Sequence, residues 1–305
     1  MGEGVEVWRG SVAAWECDAM GHLNVGFYVA RSMDGLAGMA AELGMPRAFS
    51  SEAQATLLVR EQHVRFIKEA RPGAPLDMVG GVVEWGESDA RLLFLLRHRS
   101  GELAAVFQTL VSHATAREGR AFPWPTRIRA RAEALAMEIP EAARPRSIGM
   151  APVESQASLE RAIALGLKRI GLGVIRPADC DAFARMRAEL MIARISDAIP
   201  HLLDGERLGA GERGPQIGTA ALEYRLIYLD WPRAGDRIEV RSGPAGGDAR
   251  FRKLVHWLLD PESGRPWGVA ENVAVSFDLE TRKMIALSDE ALAQANAAAI
   301  PGLTL

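Results

Sequence analysis

The sequence predicts an α+β protein built as two tandem copies of one unit, and three observations carry that expectation. A short motif recurs at a fixed offset, the same order of elements stands on both sides of a Pro-rich middle, and each half holds one long stretch with an apolar stripe. Cys17-Asp18-Ala19-Met20 is echoed by Cys180-Asp181-Ala182-Phe183. The 163-residue offset from Asp18 to Asp181 returns at Asp34 and Asp197, at Thr56 and Thr219, and at Ser100-Gly101 and Ser263-Gly264. Asp89-Ala90-Arg91 matches Asp248-Ala249-Arg250 after a shift of four. A repeat this long is domain-sized, which predicts two similar globular units rather than a solenoid of short repeats.

Each element follows from local pattern. Val5 to Ala14 reads as a strand, 15–24 as a turn, and the stretch from about Gly26 to Leu43 as a helix. Val29, Met33, Leu36, Ala40 and Leu43 recur there at steps of four and three, with Gly44 and Pro46 as the stop. Strands are expected near Thr56–Ala70, Leu76–Trp85, Ala90–Arg99 and Leu103–Ala114, separated by Pro72-Gly73, Gly86 and Ser100-Gly101 turns. The second copy repeats the order: a strand at Leu167–Ile175, a helix at Ala188–Leu203, and strands near Thr219–Leu229, Asp236–Ser242, Arg250–Leu259 and Gly268–Phe277. Pro200 is expected to kink or shorten the second helix, because proline lacks the amide donor and clashes with the carbonyl four residues back. Residues 1–120 and 166–305 form the two expected domains. Residues 121–165 are the linker, Pro-rich around a helical Arg127–Met137, and Ser288–Ala299 reads as a C-terminal helix.

Composition bounds the function. At 305 residues, 48% of them apolar, the chain can bury a core in each half without disulfides or metal. Its only cysteines, Cys17 and Cys180, are equivalent in the two copies and fit a reducing compartment. No apolar run approaches a membrane span, and Met1–Glu6 lacks the regions of a signal peptide, so a cytoplasmic location is expected. A formal net charge of −3 offers no overall field for nucleic acid. Neither nucleic acid nor membrane is an expected partner.

The chemistry concentrates in Trp15-Glu16-Cys17-Asp18-Ala19-Met20-Gly21-His22-Leu23-Asn24, just before the first helix. A carboxylate there can attack a carbonyl carbon or take a proton from water, while helix-start amides polarise the carbonyl oxygen. Asp18 is therefore the candidate nucleophile or general base. The amides around Gly26 and Phe27 are the candidate oxyanion donors, glycine there permitting close approach, Gly21 is a further candidate substrate-binding residue, and His22 and Asn24 are candidates to orient carboxylate, water or substrate. At the positions of Gly21, His22 and Asn24 the second copy has Ala184, Arg185 and Arg187, so one working site is expected. Asp181 beside Arg185 and Arg187 reads either as a structural ion pair or as a set that holds the phosphates of an acyl carrier.

Competing readings exist for each residue. Asp18 can simply close a turn. Cys17 with His22 suggests a thiol nucleophile, but Cys180 recurs without a histidine, which favours a small buried thiol. Asp34 and Asp197 read as structural. His63, His98, His113, His201 and His256 show no metal-ligand spacing and read as core-edge or surface groups, so neither metal nor cofactor is proposed. The seven tryptophans, Trp15 among them, read as packing groups. Glu61 and Glu223 match on the strand after each helix; Glu223 reads as an exposed strand-edge carboxylate, with approach to Asp18 as its other reading.

Followed by Tyr28 and Asp34, and with Arg71-Pro72-Gly73 at a strand turn, the motif resembles that of the 4-hydroxybenzoyl-CoA-type hotdog thioesterases. The resemblance implies a double hotdog, each long helix lying in the curl of an antiparallel sheet, with two folds paired side by side and sites where a helix start meets the partner. It implies hydrolysis of an acyl-CoA or acyl-carrier thioester to a carboxylic acid and free thiol. It also implies that such pairs can stack into a homo-oligomer. A non-catalytic acyl-CoA or acyl-carrier binding protein is the alternative from another class. A hotdog dehydratase is a third reading, disfavoured because no hydratase-type Asp and His pair follows the helix.

Overall fold

A computed structural model describes residues 4–202, 217–278, 280–281 and 283–305. In the first copy, strand β1 (Val5–Ser11) leads through a 3₁₀ turn at Ala14–Glu16 to helix α1 (Val25–Glu42), followed by β2 (Ala55–Phe66), β3 (Pro75–Trp85), β4 (Asp89–His98) and β5 (Leu103–Thr115). The five strands form an antiparallel sheet in the order β1-β3-β4-β5-β2.

Both ends of α1 are set by local chemistry. Asn24 caps its start, the side-chain oxygen accepting the Gly26 N–H at 2.9 Å. Gly44, in the left-handed region at φ +86, ends it, with Gly44 N–H donating to Ala41 O and Met45 N–H to Ala40 O. Of the expected stripe, Val29, Leu36, Ala40 and Leu43 are buried and Met33 is half-buried. A Cβ at Gly35 would strike the Met78 sulfur and one at Gly38 the Val7 carbonyl, so the helix lies directly on β1 and β3. Glycine weakens a helix by roughly 0.5–1 kcal/mol, which this close packing offsets.

The linker contains α2 (Thr126–Ala134) and, outside the expected elements, the short helix α3 (Leu159–Ala164), capped by Ser158. The second copy then repeats the plan with β6 (Lys168–Val174), a 3₁₀ turn at Pro177–Asp179, α4 (Glu189–Leu202), β7 (Ile217–Tyr228), β8 (Arg237–Gly247), β9 (Arg252–Leu259) and β10 (Pro266–Asp278). Its antiparallel order is β6-β8-β9-β10-β7, with the short β11 (Met284–Ile285) on β10. Here the glycine of the close helix–strand approach sits on the strand: Gly171 faces Ala198. Helix α4 is described over 14 residues against 18 in α1, with Pro200 in its last described turn; Leu203, the expected end, lies outside the described residues. Helix α5 (Asp289–Ala297) precedes a tail whose Leu303 and Leu305 join a buried cluster with Val255, Trp257, Leu259 and Val269.

Compactness divides the chain differently from the repeat. One unit is Met1–Pro145 with Ala178–Ile192, the other Arg146–Pro177 with Ala193–Leu305. The linker is strapped down within each. In the first unit Arg65 donates to Ala142 O at 2.6 Å and Arg144 O at 2.8 Å, and Gln108 to Ala143 O. In the second, Glu223 accepts the amides of Arg146 and Ser147 at 2.9 and 3.0 Å, and Arg225 donates to Gly149 O and Ala151 O. Glu223 is thus a buried linker clamp, not the exposed strand-edge carboxylate that its strand position suggests. No helix among the described residues is long and apolar enough to cross a membrane.

Candidate functional site

The stretch 12–24 is pinned along the segment that follows β2. Val12 N–H donates to Ala74 O, Gly73 N–H to Val12 O at 2.8 Å, and Leu23 N–H to Ala70 O at 2.8 Å. The Tyr28 hydroxyl accepts the Ala70 amide at 3.0 Å and donates to Lys68 O, and burial pushes its pKa up to about 12, so it acts only as a neutral tether. Glu16 is buried beneath, taking the Ala13 amide at 2.9 Å and pairing with Arg31 from α1.

On that base sits a tight turn. Asp18 N–H donates to His22 O, Gly21 N–H donates to Asp18 O, and Gly21 adopts φ +77, a conformation suited to glycine. Asp18 Oδ1 accepts the Met20 amide at 2.8 Å. Its other oxygen lies 3.2 Å from His22 Nδ1, and His22 Nε2 lies 3.8 Å from Glu69 Oε1. The Asp18 side chain is 23% exposed and that of His22 14%, so the pair is half-sheltered yet reachable. Glu69 had no motif to mark it; only its place two residues before Arg71-Pro72-Gly73 could have drawn attention.

The structure brings Asp18, Gly21 and His22 together and gives Asn24 another task. Asn24 Oδ1 takes the Gly26 amide, and Asn24 O takes the Phe27 amide at 2.9 Å. Both expected oxyanion donors are thus engaged by the cap, and an oxyanion there competes with Asn24. Cys17 is held as a neutral thiol: burial first, then the charges of Asp18 and Glu16, raise its pKa.

The second copy keeps the turn and changes its contents. Asp181 N–H donates to Arg185 O, Ala184 N–H to Asp181 O, and Phe183 N–H to Asp181 Oδ1 at 2.8 Å. Ala184 holds φ +64, the left-handed conformation of Gly21, despite its Cβ. Arg185 points inward, buried over the Phe183 ring, with Nε 3.4 Å from Asp181 Oδ2. Arg187 lies 3.3 Å from Glu189, whose carboxyl pKa is raised by burial. Both arginines are therefore in ion pairs of their own copy.

A Ser–His–Asn constellation elsewhere lacks access. Ser242 Oγ meets His256 Nδ1 at 2.7 Å and His256 Nε2 meets Asn272 Oδ1 at 3.2 Å, but all three are buried, and burial pushes the His256 pKa down to about 4. The group ties β8, β9 and β10 together. His63, His113 and His256 are core residues rather than the edge groups their strands suggested. Trp15 departs the other way: at 83% exposure it packs against little.

The family model of the thioesterase-like superfamily matches twice, over residues 12–132 and 175–295. A search of the curated proteins found no match. Among solved structures, a 12:0-ACP thioesterase from Umbellularia californica aligns with TM-score 0.66 at 14% identity, covering 88% of this chain and 92% of its own. An acyl-ACP thioesterase from Bacteroides thetaiotaomicron aligns with TM-score 0.64 at 10% identity, covering 88% and 96%. At such identities the likeness establishes the shared double-hotdog fold.

Proposed function

The chain belongs to the thioesterase-like superfamily, and on that premise we propose that it hydrolyses an acyl thioester of CoA or of an acyl carrier to a carboxylic acid and a free thiol. Asp18 is the general base or nucleophile. As a base it takes a proton from the water that attacks the thioester carbonyl; as a nucleophile it forms an anhydride that water then opens. Either way the C–S bond breaks and the sulfur leaves as thiolate, which takes up a proton.

The observation that carries this reading is the division of labour on Asp18. One oxygen is fixed by the Met20 amide, while the other faces His22 in a half-sheltered turn beside the start of α1. His22 holds the reactive oxygen in place, with Glu69 behind it. The two structural neighbours are an acyl-ACP thioesterase and a 12:0-ACP thioesterase, which supports a thioester carried on a pantetheine arm as the substrate class. The site of the second copy is silent, because Arg185 faces the oxygen equivalent to the reactive one and is itself buried. A panel of acyl thioesters with free-thiol detection tests the activity. Asp18→Ala is expected to lower kcat by about a hundredfold or more, and unchanged turnover on the best substrate would sink the assignment.

A further inference from the structure

Trp15 offers a large apolar surface to water three residues before Asp18, at 83% exposure. It rides on the 3₁₀ turn Ala14–Glu16, which Glu16 locks through the Ala13 amide and Arg31. The indole is therefore presented by a fixed piece of backbone, not by a loose loop. Phe27, at the start of α1, and Ile67, beside the segment that Tyr28 and Leu23 hold, are also exposed, at 37% and 43%.

The second copy supplies an internal control. It builds the same 3₁₀ turn, Pro177–Asp179, and buries Asp179 as the first copy buries Glu16. In that turn Ala178 occupies the place of Trp15, and Leu190 that of Phe27. The turn thus forms without tryptophan. The exposed indole accompanies the copy that keeps the Asp18–His22 pair and is missing from the copy whose carboxylate is tied to a buried arginine.

We propose that Trp15 is the platform on which the pantetheine arm of the substrate lies, an inference that rests on the hydrolase reading. Reach and exposure together select the arm. Three residues separate the Cα atoms of Trp15 and Asp18 by at most about 11 Å. A group that touches both Trp15 and the thioester is therefore the acyl chain on the carbonyl or the arm on the sulfur, the nucleotide of CoA or the surface of a carrier protein lying beyond the whole arm; an indole this open to water suits the half-polar arm rather than an apolar acyl chain. The chemistry agrees. The arm alternates amides with methylenes and a branched dimethyl carbon, which suits an indole that has an apolar face and one N–H donor. The platform reads what CoA and carrier proteins share.

The test uses the full chain and one acyl group on three handles: N-acetylcysteamine, pantetheine and CoA. Trp15→Ala is expected to raise KM for the pantetheine thioester about tenfold with kcat kept. The N-acetylcysteamine thioester, which lacks most of the arm, changes little, and the ratio of CoA to pantetheine thioester stays as in the wild type. Trp15→Phe restores most of the affinity. A pantetheine to N-acetylcysteamine ratio of kcat/KM that Trp15→Ala leaves unchanged overturns the proposal, as does an equal fall on both. Free pantetheine is titrated separately by tryptophan fluorescence, with quenching expected in the wild type and lost in Trp15→Ala. If the wild type hydrolyses no thioester, the hydrolase reading fails and this titration alone decides: identical curves for wild type and variant reject the platform.

Discussion

The turns at Cys17–Leu23 and Cys180–Met186 share a backbone and differ in what the carboxylate faces. Both close by an isolated bridge, both send the aspartate amide to the carbonyl four residues on, and both use Oδ1 to hold the amide two residues on. Asp181 Oδ1 takes the Arg185 amide as well, at 3.0 Å, and the larger difference is at the second oxygen, which meets His22 in one copy and the Arg185 guanidinium in the other. The comparison separates two tasks that a single aspartate performs. Turn closure belongs to Oδ1 and survives in both copies, whereas the proposed chemistry uses the other oxygen, whose neighbour is the residue four positions later.

Substitutions can break this division, beginning with the largest expected effect. Asp18→Ala and Asp18→Asn should each lower kcat by about a hundredfold or more. Only Ala should also cost stability, about 1 kcal/mol, because Asn keeps an oxygen for the Met20 amide; thermal unfolding beside thiol release checks both parts. His22→Ala should reduce kcat by roughly tenfold and leave folding intact. Arg185→Ala should do the reverse, holding kcat while losing roughly 2 kcal/mol, since its partner Asp181 stays partly solvated at 34% exposure; urea unfolding with steady-state kinetics tells them apart. Gly21→Ala should cost about 1 kcal/mol of left-handed strain yet keep activity. A Cβ there meets nothing, and Ala184 shows that alanine can hold this turn.

The smallest effect lies at the equivalent positions Gly26 and Glu189. Burial raises the Glu189 pKa above its ordinary 4.5, Arg187 only partly opposing it. Its contribution is therefore present below the unfolded pKa and is lost as pH rises through the higher folded one. Glu189→Gln cannot charge, so its stability relative to wild type should climb between pH 4 and pH 8. Urea midpoints that move in parallel across that range would contradict this.

Much of the fold was legible because it is local and periodic. The stripe Val29, Met33, Leu36, Ala40 and Leu43 with a Gly44 stop locates α1 within a residue of its observed ends, and the 163-residue offset marks the equivalence of the two turns. Residues whose meaning depends on a distant partner were not legible. Glu223 looks like any strand carboxylate until the linker passes over it, and Glu69 gains significance only when the Leu23–Ala70 hydrogen bond sets the two segments side by side. Asn24 sits in the motif yet its oxygen serves the helix cap. The left-handed Ala184 leaves no trace in a residue type that normally avoids that conformation.

One ratio tests the division most directly: kcat of Asp181→Asn over kcat of Asp18→Asn, measured by thiol release on the same thioester in the same buffer. Both substitutions preserve an acceptor for the turn; Asp181→Asn also uncouples the buried Arg185, so both rates are taken at a temperature where thermal unfolding shows each variant folded. A single working site predicts a ratio of about a hundred or more, with Asp181→Asn close to wild type. A ratio near one, with both variants impaired, would contradict it and place equivalent chemistry in both turns.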